Sequence, residues 1–248
     1  MIQLDDSSEQ KLDTPPRQGA IVTSRVSPLL KSVVYPLGRY IVLPFYFGQI
    51  QVSGQEHLPA TNPVILAPTH RSRWDALVVP YAAGAYVTGR HPRFMVSANE
   101  MAGLQGWFIR RLGGFPIDTD QPGIGSFRHA VELLNEGEMV VIFPEGKIFR
   151  DDRVHPLKRG LARMALQVES IQPGIGVQIV PISIHYSQPV PHWRCDVKID
   201  IGSTLQVAEY YSTSVKKSAK QLTADLEIAL KQVHEDSQGI PEPIGELS

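Results

Sequence analysis

The chain is almost without cysteine: Cys195 is the single one in 248 residues, which excludes an internal disulfide and fits a reducing compartment. It sits in the alternating stretch Arg194-Cys195-Asp196-Val197-Lys198-Ile199 and reads as a buried structural thiol. No apolar run reaches the roughly 20 residues that a bilayer-spanning helix needs. The richest candidate, Val26–Val52, is interrupted by Lys31, Arg39 and prolines at 28, 36 and 44. The net charge is only −1, so the clustered cation excess of a nucleic-acid binder is missing. The first thirteen residues are polar and mainly acidic, where a secretory signal would have a basic n-region and an apolar core. There is no G-x-S-x-G elbow, no G-x-x-x-x-G-K-[ST] loop, no G-x-G-x-x-G turn and no H-x-x-x-H or H-E-x-x-H pair. Serine hydrolases, P-loop enzymes, dinucleotide binders and zinc enzymes of those types are therefore excluded.

Acidic residues are missing locally as well. None occurs from Thr14 to Gln55, where Arg17, Arg25, Lys31 and Arg39 fall, and between Asp75 and Asp118 Glu100 alone faces Arg90, Arg93, Arg110 and Arg111. This asymmetry predicts a positive face on the N-terminal half, suited to an anionic membrane surface or a phosphate-bearing substrate. Val26–Val52, basic, aromatic and broken by proline, predicts a helix or helix pair lying in the membrane interface.

Beyond residue 50 apolar runs alternate with helix-like segments. Val64–Ala67, Arg93–Ser97, Gly114–Ile117, Met139–Phe143, Val177–His185 and Val197–Ile201 read as strands. Ser72–Tyr86, Gly103–Leu112, Ile124–Glu136 and Lys158–Glu169 read as helices, and Thr213–Asp236 as an amphipathic helix docked on the core. The order predicts an α/β fold, a single domain with a mixed central sheet flanked by helices. The expected layout is a disordered tail at 1–20, an interfacial helical segment at 21–50, the catalytic domain at 51–236 and a flexible tail at 237–248.

Two motifs carry chemistry. Thr69-His70-Arg71-Ser72-Arg73-Trp74-Asp75 follows the first strand run, and Phe143-Pro144-Glu145-Gly146 closes another. A histidine can take a proton from an alcohol while a carboxylate behind it fixes the tautomer and stabilises the imidazolium. On one continuous helix a five-residue spacing is about 500° of turn, so the two side chains would diverge. His70 is therefore expected on a loop, with a helix opening near Ser72 to bring Asp75 back. Ser72 to Asp75 equally fits a capping box, in which Asp75 serves only the helix start.

These residues resemble the glycerophospholipid acyltransferases of the 1-acylglycerol-3-phosphate acyltransferase type. Four blocks match in order, namely His70 to Asp75, Gly113-Gly114-Phe115-Pro116-Ile117-Asp118, Phe143-Pro144-Glu145-Gly146 and Val180-Pro181-Ile182-Ser183, and the likeness spans residues 50 to 205. The resemblance implies transfer of an acyl group from a thioester to the hydroxyl of a lysophospholipid, with His70 as general base and Asp75 as its orienter. It also implies acceptor binding by Glu145, whose place beyond a strand end suits ligand contact.

The chain departs from that family where phosphate is recognised. Relatives often carry arginine after the aspartate of the second block, whereas here Asp118 is followed by Thr119 and Asp120. Cations from nearby positions are the replacements: Lys147 and Arg150 after the third block, Arg110 and Arg111 before the second, and Lys158 ahead of a helix whose free N–H groups favour anions. With Gly114, Asp118 and Gly146 these complete the expected substrate site. The expectation is a peripheral enzyme on the cytoplasmic face of a membrane, needing no metal and no resident cofactor. Its expected partners are membrane lipids, a lysophospholipid acceptor and acyl-CoA or acyl carrier protein, and not nucleic acid. Another lysophospholipid, glycerol 3-phosphate, or a non-catalytic lipid-binding role on the same fold are the alternatives.

Overall fold

A computed structural model describes residues 27–238, apart from 102, 118–123 and 213. The helical elements are α1 (Pro28–Leu37), α2 (Leu43–Tyr46), α3 (Asp75–Ala83), α4 (Ala85–Thr88), α5 (Gly103–Arg111), α6 (Ile124–Asn135), α7 (Gly160–Ile171) and α8 (Val215–Gln238). The strands are β1 (Ile50–Ser53), β2 (Val64–Pro68), β3 (Arg93–Ser97), β4 (Gly114–Ile117), β5 (Met139–Val141), β6 (Gln178–Tyr186), β7 (Val197–Ile201) and β8 (Leu205–Gln206). They form one sheet in the order β1-β7-β6-β2-β5-β3-β4, with β8 beside β6. Only the β6 pairings with β7 and β8 are antiparallel, so the sheet is mixed.

Strand β2 is buried throughout, as a central strand covered on both faces must be. Its residues alternate between two cores. Val64 and Leu66 pack with Val78, Val79, Ala82 and Ala83 of α3 and with Leu43 of α2. Ile65 and Ala67 pack with α6, α7 and α8 through residues such as Leu134, Leu161 and Leu222. A one-residue slip would exchange the two sets.

Several sequence expectations need adjustment. Residues 50–52, assigned to the interfacial stretch, lie in β1, where Ile50 pairs with Val197 and Val52 with Ile199. The single helix expected over Ser72–Tyr86 is two. Gly84 separates α3 from α4, and a side chain there would meet the Pro80 carbonyl oxygen at 2.3 Å. The strand expected over Met139–Phe143 ends at Val141, and α8 runs to Gln238. The tails expected at 1–20 and 237–248 fall outside the described residues, apart from 237 and 238.

From Pro28 to Tyr46 the chain is helical, with a π-turn at Gly38–Val42 between the helices that contain Pro36 and Pro44. The wider turn lies where two missing proline N–H groups disturb the regular ladder. Leu29, Val33, Leu37, Ile41 and Phe45 are all exposed along it, four residues apart. In an α-helix each such step overshoots a full turn by about 40°. The π-turn winds less per residue and draws the apolar stripe back onto one side.

Candidate active site

Parallel pairing places both motifs at one edge of the sheet. Strand β2 lies beside β5 with Leu66 opposite Val141, and beside β6 with Pro68 opposite Ile182. All three therefore run out on the same side, where open α/β sheets gather functional groups. Thr69 continues the ladder by donating its N–H to the Ile182 carbonyl, and its hydroxyl accepts the Ile184 N–H at 2.9 Å. The chain then leaves the sheet at His70.

His70 Nδ1 lies 2.8 Å from Asp75 Oδ2. The same oxygen accepts the backbone N–H groups of Arg71 at 2.7 Å and Ser72 at 2.9 Å. Because an ionised carboxylate only accepts, Nδ1 carries the proton and Nε2 presents a lone pair. Both expectations for Asp75 meet in one group: it bonds the Ser72 N–H as a capping acid does, and it bonds the imidazole. Trp74, which precedes α3, makes no side-chain cap. The Phe143 ring stacks on His70 at 3.9 Å and 20°, so the aromatic residue of the third block holds the ring from its face. Asp75 Oδ1 accepts the Tyr186 hydroxyl at 2.8 Å. The phenol is pushed well above its ordinary range, first by burial and then by Asp75.

Glu145 does not face the cavity. Its side chain is wholly inaccessible. The carboxylate accepts the His70 N–H at 2.8 Å, the His155 N–H at 2.9 Å and the Arg71 guanidinium at 2.9 Å. Arg71 reaches on to the Arg153 carbonyl at 2.8 Å. In place of the acceptor binding expected of Glu145, its carboxylate ties a knot joining the two motif loops, because burial leaves its oxygens only internal donors.

A cavity of about 950 Å³ opens beside the imidazole. Its walls include the apolar Leu43, Phe94, Val96, Leu112 and Ile117 and the cationic Arg73, Lys147, Lys158, Arg159 and Arg163. His70, Gly114, Gly146, Lys147 and Lys158 are brought together here. Gly146 adopts φ +78°, and a side chain on it would meet Lys158 Cε at 2.6 Å. Arg111 is placed elsewhere, its guanidinium 4.3 Å over the Trp107 ring. Arg150 is exposed and does not line the cavity, while Asp118 lies outside the described residues. Arg71, Tyr186, Arg159 and Arg163 escaped the sequence reading. A cation beside a histidine and a tyrosine 111 residues from its aspartate leave no local signature.

The positive face is also reduced. Arg39 donates to the Tyr81 carbonyl at 2.7 Å beneath Tyr86, Arg93 pairs with Glu138 at 2.9 Å, and Arg110 donates to the Met101 carbonyl at 2.8 Å. Arg39 and Arg93 are half-buried and Arg110 exposed, and each satisfies a carbonyl or acid that sequence distance concealed.

A half-buried histidine on a buried aspartate, set on a mixed α/β sheet beside a cavity both apolar and cationic, is the arrangement of an acyl-transfer site. The Acyltransferase family model matches residues 49–185, and the chain belongs to that family. It is 31% identical over 190 residues to the 1-acyl-sn-glycerol-3-phosphate acyltransferase of Bacillus subtilis, covering 75% of this chain and 88% of that one. A chloroplastic 1-acyl-sn-glycerol-3-phosphate acyltransferase of Brassica napus is 26% identical over 147 residues, 58% of this chain and 38% of its own length. The crystal structure of the 1-acyl-sn-glycerophosphate acyltransferase PlsC from Thermotoga maritima shares the fold, with TM-score 0.67, 19% identity and coverage of 87% of this chain and 82% of that one.

Proposed function

We propose that this protein transfers a fatty acyl group from an acyl thioester to the hydroxyl of 1-acylglycerol 3-phosphate, giving phosphatidic acid. One observation carries the reading: the His70–Asp75 pair, at 2.8 Å, stands at the wall of a cavity with both apolar and cationic lining. Nε2 takes the proton of the acceptor hydroxyl as its oxygen attacks the thioester carbonyl. The tetrahedral intermediate collapses, the carbon–sulfur bond breaks, and the imidazolium returns the proton to the leaving thiolate. Asp75 holds the tautomer and offsets the transient positive charge. Positioned base catalysis contributes about 10²–10⁴ in rate, and orientation of both substrates supplies more.

The apolar walls suit an acyl chain, and Lys147 and Lys158 suit the acceptor phosphate. Arg159 and the start of α7, where Gly160 also lines the cavity, add to the attraction for an anion. Acyl-CoA or acyl carrier protein serves as co-substrate, and no step needs a metal or a resident cofactor.

The protein works as a peripheral enzyme on the cytoplasmic face of a membrane. No described helix is long and apolar enough to cross a bilayer. Support comes from the exposed stripe Leu29, Val33, Leu37, Ile41 and Phe45, extended by Trp193, whose ring meets Phe45 at 4.4 Å. A patch of this kind fits an interface-lying segment. The reading is tested by incubating purified protein with 1-acylglycerol 3-phosphate and, separately, acyl-CoA and acyl carrier protein thioesters, with glycerol 3-phosphate in parallel. Phosphatidic acid from the first acceptor is expected. No transfer to it from either donor would overturn the assignment.

A further inference from the structure

We propose that Tyr186 is a positioning residue for the His70–Asp75 pair, setting the plane and the charge distribution of the Asp75 carboxylate through its hydroxyl. This rests on the reading of His70 as the general base. Asp75 is fully buried, and its two oxygens are used differently. Oδ2 takes His70 Nδ1 and the N–H groups of Arg71 and Ser72, while Oδ1 takes the Tyr186 hydroxyl at 2.8 Å. Rotation about the last torsion of aspartate, broad and roughly two-fold, carries both oxygens together, and the bonds to Oδ2 restrain it from one side only. A donor on the other oxygen fixes that torsion. It thereby fixes the lone pair that Oδ2 aims at the imidazole.

Tyr186 is built to stay in place. It ends β6, opposite Val197 of β7, and its ring stacks on the fully buried Phe47 at 5.9 Å and 29°. Burial, with Asp75 beside it, keeps the phenol protonated far into alkali, so toward the carboxylate it donates. A neutral donor on Oδ1 draws negative charge away from Oδ2, the oxygen that faces the imidazole, without adding a charge of its own. Other ionisable groups surround the pair and the phenol. Arg71 and Glu145 bond one another, Cys195 lies beside the phenol, and Arg73, Glu100, Lys147 and Lys158 line the cavity.

The test titrates the His70 ring by NMR in the folded full-length protein, a measurement that needs no turnover. Tyr186→Phe keeps the ring and removes the hydroxyl. The His70 midpoint should move up by several tenths of a pH unit or more, and the acid limb of the kcat profile should move with it. The KM for 1-acylglycerol 3-phosphate should stay within about twofold. Replacing Tyr186 by 3-fluorotyrosine, a stronger donor, should move the midpoint the other way, and this variant keeps the hydrogen bond should Tyr186→Phe fold poorly. In an Asp75→Asn background Tyr186→Phe should no longer shift the titration, because the route through the carboxylate is gone. Titration curves that superimpose on wild type in both variants, or a shift that persists undiminished with Asp75→Asn, would overturn the proposal. A wild-type protein that transfers no acyl group would sink the acyltransferase reading alone and leave this titration decisive for Tyr186.

Discussion

Arg71 and Glu145 form a buried ion pair, with Nη1 2.9 Å from Oε2 and side chains 6% and 0% exposed. It joins the loop after β2 to the loop after β5. Removing one partner of such a pair strands the other charge and costs about 3–5 kcal/mol. Glu145→Ala should therefore lower both stability and turnover, as read by denaturant unfolding and by acyl transfer. A rise in acceptor KM with unchanged stability would instead restore Glu145 to direct acceptor binding.

His70→Ala should reduce turnover by about 10²–10⁴, the usual contribution of a general base, with circular dichroism unchanged. Asp75→Asn should cost less activity than His70→Ala but still a large factor. If Asp75 served only the start of α3, the same substitution would lower stability by about 1 kcal/mol and leave turnover intact. Parallel kinetics and thermal melts on the two variants decide this.

Lys158 is the cation most directly exposed to a neighbouring substitution, because a side chain on Gly146 would meet its Cε at 2.6 Å. Gly146→Ala should displace the ammonium group and also strain a backbone at φ +78°. Lys158→Ala should raise the acceptor KM roughly ten- to a hundred-fold, the worth of a charge-assisted contact of about 1.5–3 kcal/mol. The two variants should agree in direction on KM. An unchanged KM in Lys158→Ala would remove Lys158 from phosphate binding.

Membrane association should depend on the apolar stripe more than on charge, since Arg39, Arg93 and Arg110 are engaged within the fold. Replacing Val33 and Ile41 together by glutamate should lower vesicle co-sedimentation by roughly a hundred-fold or more, given about 1.5–3 kcal/mol for each large apolar side chain buried. Raising salt should weaken wild-type binding far less. Binding that survives the double substitution but vanishes in salt would return the role to the basic residues.

Local pattern sufficed for much of this molecule. The strands at Arg93–Ser97, Gly114–Ile117 and Val197–Ile201 stand where apolar periodicity placed them, because a buried strand writes its environment into consecutive residues. The His70-to-Asp75 spacing likewise announced a loop followed by a helix, since helical geometry alone forbids the two side chains to meet. Strand β1 escaped because four residues with alternate exposure merge into the apolar segment before them. What the tertiary structure alone decided is which groups share a partner. Glu145 turned inward because β5 lies parallel to β2 and delivers it beneath the His70 N–H and against Arg71. Tyr186 reached Asp75 because β6 flanks β2 on the other side. Strand order and direction are properties of the whole sheet, and residues 75 or 111 positions apart carry no local trace of them.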